Sequence, residues 1–216
     1  MNQRITPASD PATWGPAIDE AVNVVARGGL IVLPTDTVYG IGADAFTPPA
    51  VQALLDAKGR GRHMPPPVLI ADVAVLDGLA IDVPVGARAL ATQFWPGGLT
   101  LIVHAQPSLA WDLGETNGTV ALRMPDHPTA LALLKRTGPL AVSSANTTGK
   151  PAAVTAEAAY EQLGDAVAVY LDAGEAPGQV ASSIVDATGD ALRLVRAGAI
   201  SLEQLREIAD VEEPAP

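Results

Sequence analysis

Short apolar runs alternate with amphipathic helical segments along this chain of 216 residues. Two typical runs, 30–33 and 99–104, are far shorter than a membrane span but suit buried strands. Predicted helices include 85–94, which ends before a Pro-Gly-Gly turn, and 155–163, for which Thr155 supplies a cap signal. This alternation predicts an α/β layered domain, and the short gaps between several strands favour a mixed sheet over a purely parallel one.

The charge balance and the missing cysteines narrow the function classes. The chain has no cysteine, which excludes a thiol nucleophile, a disulfide framework and a cysteine-ligated zinc site. The imidazoles of His63, His104 and His127 are not spaced as metal ligands. The 13 Lys and Arg against 24 Asp and Glu give a net charge of −11, which argues against binding nucleic acid through bulk charge but allows a small positive site.

Residues 15–209 are expected to form one domain, preceded by an N-terminal arm over 1–14 and followed by a loose tail over 210–216. The polar N-terminus contains Pro7 and lacks the apolar core of a secretory signal. The expectation is therefore a soluble cytoplasmic protein that does not interact with a membrane.

Small polar and basic residues concentrate just after predicted strands, where α/β domains place ligand groups. Segment 34–42 follows a buried strand, offers the hydroxyls of Thr35 and Thr37, and contains Gly40 and Gly42, which permit close backbone approach. An ordinary strand-to-loop turn is the competing interpretation of this segment.

Basic residues cluster in a Gly/Pro-rich loop and on one strand. Lys58, Arg60 and Arg62 follow the end of a predicted helix, where they would bind phosphate or carboxylate or simply complement the helix dipole. Alternation along 119–123 places Thr119 and Arg123 on the same strand face. An arginine in an apolar strand requires an anion, which is either an acidic side chain or a ligand.

Neutral donors are dense in the turn after the strand at 140–143. Ser144 and Asn146 belong to this turn, which is either a solvated capping loop or a cradle for an anion. It lacks the glycine spacing and the terminal Lys-Ser/Thr pair of a Walker A loop. Ser182 and Arg196 lie in two further segments near predicted strand ends, and Arg196 taken alone is typical of a surface arginine.

Six stretches together carry a family resemblance. They are 34–43 (PTDTVYGIGA), 57–60 (AKGR), 94–101 (FWPGGLTL), 120–125 (VALRMP), 144–151 (SANTTGKP) and 194–200 (LVRAGAI). In this order they resemble the YrdC/Sua5/TsaC family of L-threonylcarbamoyladenylate synthases, which act in making the tRNA modification t6A. The resemblance covers about residues 15–200, and the chain is similar to the short, single-domain members.

The resemblance implies a twisted mixed sheet flanked by helices, with a concave, positively charged cavity. It implies a nucleotidyltransferase that forms threonylcarbamoyl-adenylate and pyrophosphate from L-threonine, bicarbonate and ATP, with Mg²⁺ arriving with the nucleotide. The catalytic signature of the family falls on Lys58, Arg60, Ser144 and Asn146, which also belong to the ATP side together with Thr119 and Arg196. The threonine side falls on Thr35, Thr37, Arg123 and Ser182.

The resemblance further implies a transient downstream transferase of the t6A machinery, with tRNA involved only indirectly. The chain departs from the family pattern at Gly61, Ala71 and Ala181, where proline, histidine and an acidic residue are expected. Two alternatives remain. One is an RNA-binding module of the same fold that acts in ribosome assembly. The other is a carbamoyl-phosphate-processing domain like that of hydrogenase maturation factors, which normally belongs to a larger chain with zinc-finger cysteines.

Overall fold

The computed structural model describes residues 4–213, and within them twelve strands form one sheet. The strands are β1 (Ile5–Pro7), β2 (Ile31–Leu33), β3 (Gly40–Asp44), β4 (Val68–Leu69), β5 (Ala80–Ile81), β6 (Leu99–Ala105), β7 (Thr119–Arg123), β8 (Leu140–Ser144), β9 (Val169–Asp172), β10 (Ser183–Asp186), β11 (Leu192–Arg196) and β12 (Val211–Glu212). The helices are α1 (Gly15–Ala26), α2 (Pro48–Lys58), α3 (Leu76–Leu79), α4 (Val85–Phe94), α5 (Pro128–Thr137), α6 (Ala156–Leu163) and α7 (Leu202–Arg206). No helix within these residues is both long enough and apolar enough to cross a lipid bilayer.

The sheet is mixed, as the sequence predicts. Its order is β1-β9-β2-β3-β8-β4-β7-β6-β10-β11-β12, and β5 pairs with the end of β6. The sheet contains parallel pairs, such as β9 with β2, β4 with β7 and β6 with β10, and antiparallel pairs, such as β2 with β3 and β6 with β7. Strands from both halves of the sequence therefore meet in the middle of the sheet, where the candidate residues lie.

Helices cover the sheet unevenly. The helices α1 and α5 pack on one face over β2, β8 and β9, while α2 and α6 cover the opposite face of β2, β3 and β9. Beyond β4, α4 packs on β6 through residues that include Leu101. The other face of β6 and β7 presents Thr100, Ile102 and Ala121 to a cavity. Leu69 contributes both to the core under α1 and α5 and to the cavity wall, so the cavity begins where this helix layer ends.

Local sequence signals set the ends of the helices next to the cavity. Pro48 begins α2, and Gly59 ends it in the left-handed region (φ 61°), which turns the chain so that Arg60 enters a loop. The predicted cap of α6 is confirmed, because Thr155 Oγ1 accepts a hydrogen bond from the Ala158 N–H at 3.1 Å. The predicted bounds of α4 also agree with the structure.

Segment 34–42 is only in part the turn that the sequence predicts, because β3 begins at Gly40. A Cβ at Gly40 would lie 2.5 Å from Val142 Cγ1, and one at Gly42 would lie 3.2 Å from Leu33 Cδ2. Sheet packing against Val142 of β8 therefore favours glycine at position 40, and packing at position 42 is tight. Gly40 also lines the cavity, so its close approach to a ligand stays a prediction.

The domain extends beyond its expected limits at both ends. Ile5–Pro7 pairs in parallel with β9, so these residues of the expected N-terminal arm belong to the sheet. The expected loose tail from 210 is wrong for Val211–Glu212, which pairs with β11 and has a fully buried valine. Pairing with a neighbouring strand stabilises these short strands, and their own sequences give little sign of it. The remaining tail residues 214–216 and the first three residues of the arm lie outside the described range.

Candidate active site

A cavity of about 370 Å³ lies on the open face of the sheet. Its floor comes from β6, β7, β8 and β10, and its walls come from the loop after β2, the loop after α2 and the connection between β6 and β7. Its polar lining consists of Thr35, Thr37, Arg60, Thr100, Thr116, Thr119, Arg123, Ser143, Ser144, Ser182 and Arg196. The structure thus brings together eight predicted residues that the sequence separates by up to 161 positions (from 35 to 196).

Arg60 lies two residues beyond the end of α2 and faces the strand end of β8. Its Nη1 donates to Ser143 Oγ at 2.7 Å, whereas its buried Nε has no hydrogen-bond partner among the described residues. Burial lowers the pKa of Arg60, and the positive charge of Arg196 lowers it further. An unpartnered buried donor on a cation favours an anionic ligand at this position.

Arg196 forms a second basic position with Ser182. The guanidinium donates to the Ser182 carbonyl from Nε at 3.0 Å and from Nη2 at 2.7 Å, and Nη2 also lies 3.0 Å from Ser182 Oγ. Ser182 Oγ in turn lies 2.8 Å from Thr100 Oγ1. These contacts fix Arg196 against the cavity wall, and burial lowers its pKa. Arg196 is exposed, as its interpretation as a surface arginine predicts, but these contacts also place it in the cavity lining.

Arg123, by contrast, is paired with a carboxylate. Its Nη2 lies 2.6 Å from Asp36 Oδ1, and the side chains of the two residues are only 8% and 16% exposed. Nη1 donates to Thr37 Oγ1 at 2.9 Å, and Nε donates to the Gly97 carbonyl at 3.0 Å. Thr35 Oγ1 lies 3.0 Å from Thr37 Oγ1, so the two hydroxyls extend this network along the cavity wall.

Two of the predicted signature residues lie behind the cavity lining. Lys58 is 2% exposed, and its ammonium donates to the carbonyls of Ser144 at 2.5 Å and Asn146 at 2.6 Å. Asn146 is buried, and its Nδ2 donates to the carbonyls of Thr147 and Lys150 within its own turn. Burial, followed by the positive charge of Arg60, lowers the pKa of Lys58 to about 8.

The remaining wall is largely apolar and comes from two loops. Met64 and the three prolines that follow it face Leu113 across the cavity. The loops are joined by an ion pair between Arg62 and Asp112 at 2.6 Å and by a hydrogen bond from the Glu115 N–H to the Arg62 carbonyl at 2.9 Å. The predicted third cation of the basic cluster, Arg62, thus fastens the loops instead of lining the cavity.

Among the described residues, the charged side chains that line the cavity are all positive. Its lining contains Arg60, Arg123 and Arg196, and among the described residues it contains no Asp or Glu. Within 4–213, no carboxylate forms an ion pair with Arg60 or Arg196, whereas Asp36 pairs with Arg123. Three arginines gathered at one cavity of a chain with net charge −11 are the arrangement that an anionic ligand would stabilise.

Several residues that matter to this geometry have no clear sequence signal. Asp36 stands between two predicted hydroxyl residues and Ser143 stands within the donor-rich segment, so both had local cues. Thr100, in contrast, is indistinguishable from any strand threonine. Ala71 packs toward the core under α1 and α5, away from the cavity, whereas Ala181 does line it.

The histidines do not form a site. His63 is exposed and outside the cavity lining, and His104 is exposed with Nε2 3.0 Å from the Thr188 carbonyl. His127 precedes α5 as its N-cap residue, and burial lowers its pKa. Among residues 4–213, no group of three or more His, Cys, Asp or Glu is arranged to hold a metal ion.

Comparisons with known proteins identify the family. The family model described as Telomere recombination, for Sua5, YciO and YrdC, matches residues 23–198. A relative from Mycobacterium tuberculosis strain H37Rv, provisionally named threonylcarbamoyl-AMP synthase, is 53% identical over 204 residues, which cover 94% of each chain. The threonylcarbamoyl-AMP synthase of Bacillus subtilis is 39% identical over 200 residues, which cover 91% of this chain and 58% of that protein.

Solved structures agree with this assignment. The crystal structure of Pyrococcus abyssi Sua5 complexed with L-threonine matches with a TM-score of 0.90 at 32% identity. That match covers 96% of this chain and 62% of the Sua5 chain, so this chain spans a little over half the length of the Bacillus and Pyrococcus proteins. The E. coli YciO structure matches with a TM-score of 0.82 and is covered along its whole length. By sequence and by fold, the chain belongs to the Sua5/YciO/YrdC family.

Proposed function

We propose that this chain is a threonylcarbamoyl-AMP synthase, a nucleotidyltransferase that supplies the t6A modification of tRNA. The amine of L-threonine and bicarbonate give a carbamate and water. A carbamate oxygen then bonds to the α-phosphorus of ATP while the bond to pyrophosphate breaks, which gives threonylcarbamoyl-AMP and pyrophosphate. This chemistry requires no covalent nucleophile on the protein, because placement and positive charge promote such a displacement.

The observation that carries the proposal is the cavity with three arginines and no lining carboxylate among the described residues. Its volume of about 370 Å³ falls in the ordinary range for small-molecule sites. The Bacillus subtilis and Pyrococcus abyssi relatives are named threonylcarbamoyl-AMP synthases, and one related structure contains L-threonine. The cavity therefore offers what a polyanionic nucleotide and an amino acid require together.

ATP is assigned to the part of the cavity lining that contains Arg60 and Arg196. Neither guanidinium is neutralised by a described carboxylate, so both retain full charge for phosphate oxygens. Thr119 and Ser144 line the same cavity and add neutral donors. The positive charge of Arg196 lowers the pKa of Arg60, and a phosphate group between the two would relieve that repulsion.

L-Threonine is assigned to the residues around Arg123, namely Thr35, Thr37 and Ser182, and Ser182 adjoins the ATP residues because it accepts from Arg196. Arg123 donates three of its five N–H groups to protein acceptors, which leaves donors in a fixed direction for a carboxylate. Asp36 balances its charge, which suits an amino acid because the zwitterion has no net charge. The hydroxyls of Thr35, Thr37 and Ser182 add neutral hydrogen-bonding groups to this part of the lining.

We propose that ATP would bring Mg²⁺ with it, held by the phosphates of the nucleotide. The cavity lining offers arginines and hydroxyls but, within the described range, no carboxylate, and Mg²⁺ prefers carboxylate, phosphate and water oxygens. The donor set thus fits a metal held by the phosphates rather than by the chain. Its chemistry would be the neutralisation of phosphate charge.

Threonylcarbamoyl-AMP is a reactive mixed anhydride, so we propose a downstream t6A transferase as a transient partner that receives it. In this scheme tRNA is involved only indirectly. The alternative of an RNA-binding module in ribosome assembly is less well supported. A net charge of −11 opposes binding to a phosphate backbone outside the cavity, and three Tyr, two Phe and three Trp offer few stacking surfaces.

The test is a pyrophosphate-release assay on the purified chain with L-threonine, bicarbonate and ATP·Mg²⁺, with mass spectrometry of the nucleotide product. The proposal expects release that requires both L-threonine and bicarbonate, and a product with the mass of threonylcarbamoyl-AMP. Release that is indifferent to either co-substrate, or tight RNA binding without nucleotide turnover, would contradict it.

A further inference from the structure

All the hydrogen bonds that the Lys58 ammonium donates go to residues of one turn. Besides the Ser144 and Asn146 carbonyls, its Nζ lies 3.5 Å from Asn146 Oδ1. The Lys58 carbonyl accepts a hydrogen bond from the Thr148 N–H at 2.8 Å. The last residue of α2 is thus bound at both its ends to the turn formed by residues 144–148, which follows β8.

This turn and Arg60 meet at the cavity. Ser144 lines the cavity, and its carbonyl accepts a hydrogen bond from the Lys58 ammonium. Arg60, two residues after Lys58, donates to Ser143 Oγ at 2.7 Å. Because Lys58 fixes the end of α2 relative to the turn, it also fixes the position from which Arg60 reaches the same strand end.

The burial of Lys58 separates it from the other cations of the site. It is 2% exposed and absent from the cavity lining, whereas Arg60 and Arg196 line the cavity. An ammonium has three donors and here has three oxygen atoms within 3.5 Å, so it needs no further ligand. A buried cation without a carboxylate partner persists where carbonyl dipoles stabilise it, as they do here.

We propose that Lys58 is a positioning residue, which holds the 144–148 turn so that Ser143, Ser144 and Arg60 face the cavity together, and that it does not contact the phosphates of ATP. The inference has two readouts. The first, ATP affinity, rests on the proposed function. Its second readout, the stability of the turn in the ligand-free chain, is independent of that function.

The first experiment measures hydrogen exchange of the amides in residues 145–148 in the ligand-free native chain, in Lys58→Met and in the matched control Lys135→Met. Lys135 is an exposed residue in the last turn of α5. We expect exchange in the turn to be about tenfold faster in Lys58→Met and unchanged in the control, because the ammonium bonds two of its carbonyls. Unchanged exchange in Lys58→Met would overturn the proposal, whether or not the chain binds ATP.

The second experiment is a double-mutant cycle on ATP·Mg²⁺ affinity with Lys58→Met and Arg60→Ala. If Lys58 acts through Arg60, the single Lys58 variant should lose about tenfold in affinity, and the double variant should bind no more weakly than Arg60→Ala alone. If the affinity losses of the two single variants multiply in the double variant, Lys58 contributes independently of Arg60. That result would overturn the proposal.

If Lys58→Met fails to fold, the variant Lys58→Arg provides the test instead. A direct phosphate ligand would tolerate arginine, which binds phosphate well. The guanidinium is larger than an ammonium and position 58 is only 2% exposed, so a positioning role predicts that it displaces the turn and causes the same loss of ATP affinity as Lys58→Met. Retained affinity in Lys58→Arg would overturn the proposal. Failure of the native chain to bind ATP·Mg²⁺ would refute the proposed function and leave the exchange experiment to decide the role of Lys58.

Discussion

The three arginines that line the cavity differ in how their charges are balanced. Arg123 is paired with Asp36 at 2.6 Å in a nearly dry environment, whereas Arg60 and Arg196 donate only to neutral oxygens. A neutralised guanidinium offers direction with little net charge, and an unpaired one offers both. The difference matches the two substrates proposed for the cavity, since L-threonine carries no net charge at neutral pH and the triphosphate is strongly anionic.

The largest effect is expected where an unpaired arginine is removed. Arg60→Ala should lower kcat/KM for pyrophosphate release by roughly 10²- to 10³-fold, because a charged donor to the reacting phosphates would be lost. Steady-state kinetics measure the loss. Arg88→Ala, which removes an exposed arginine paired with Asp77, serves as the matched control and should stay near the native rate. Near-native turnover of a well-folded Arg60→Ala chain would remove Arg60 from the site.

The second prediction concerns Asp36, the carboxylate that pairs with Arg123. Asp36→Asn keeps a carbonyl oxygen for Arg123 but leaves its buried charge uncompensated, so the free energy of unfolding should fall by about 3 kcal/mol. Chemical denaturation measures it. Asp77→Asn at the exposed Arg88 pair should cost less than about 1 kcal/mol. Equal losses in the two variants would show that burial does not distinguish the two pairs.

Lys58 is a further unpaired cation, and its titration should be visible in stability. Its pKa is lowered to about 8 from the usual 10.5, first by burial and then by Arg60. Between these pH values the unfolded chain binds more protons, so stability should rise with pH by about 2 kcal/mol relative to Lys58→Met. Denaturation of both chains from pH 7.5 to 10 measures the difference. A constant difference across that window would contradict a lowered pKa, and Lys135→Met should show no such trend.

The smallest effect concerns salt. Raising the salt from about 0.05 M to about 0.5 M should weaken ATP·Mg²⁺ binding several-fold but L-threonine binding less than about twofold, because screening acts on uncompensated charge. Calorimetry at the two concentrations distinguishes them. Equal salt sensitivity of both ligands would contradict the proposal that ATP binds at the unpaired arginines and L-threonine at the paired one.

The sequence predicts those features that depend on local pattern. Alternation along Thr119–Arg123 places residues 119, 121 and 123 on one face, and all three line the cavity. The bounds of α4 and the Thr155 cap also follow from local signals. The family resemblance assigns ten site residues, and eight of them line the cavity. Six of these eight lie within the six family stretches.

What the sequence does not predict depends on partners far along the chain. The pair of Asp36 and Arg123 joins positions 87 apart, and Lys58 finds its carbonyls 86 and 88 positions away. The two-residue strand Val211–Glu212 exists because β11 offers it an edge. For the same reason, the roles of Lys58 and Arg62 near the cavity could not be separated from that of Arg60 by composition or spacing.

The most direct test of the division between paired and unpaired arginines measures the two ligands separately. Calorimetry of ATP·Mg²⁺ and of L-threonine should be run on the native chain and on Arg60→Ala. We expect Arg60→Ala to lose most of its ATP affinity and to bind L-threonine within about twofold of the native chain. Loss of both affinities together, or retention of ATP affinity, would contradict this division.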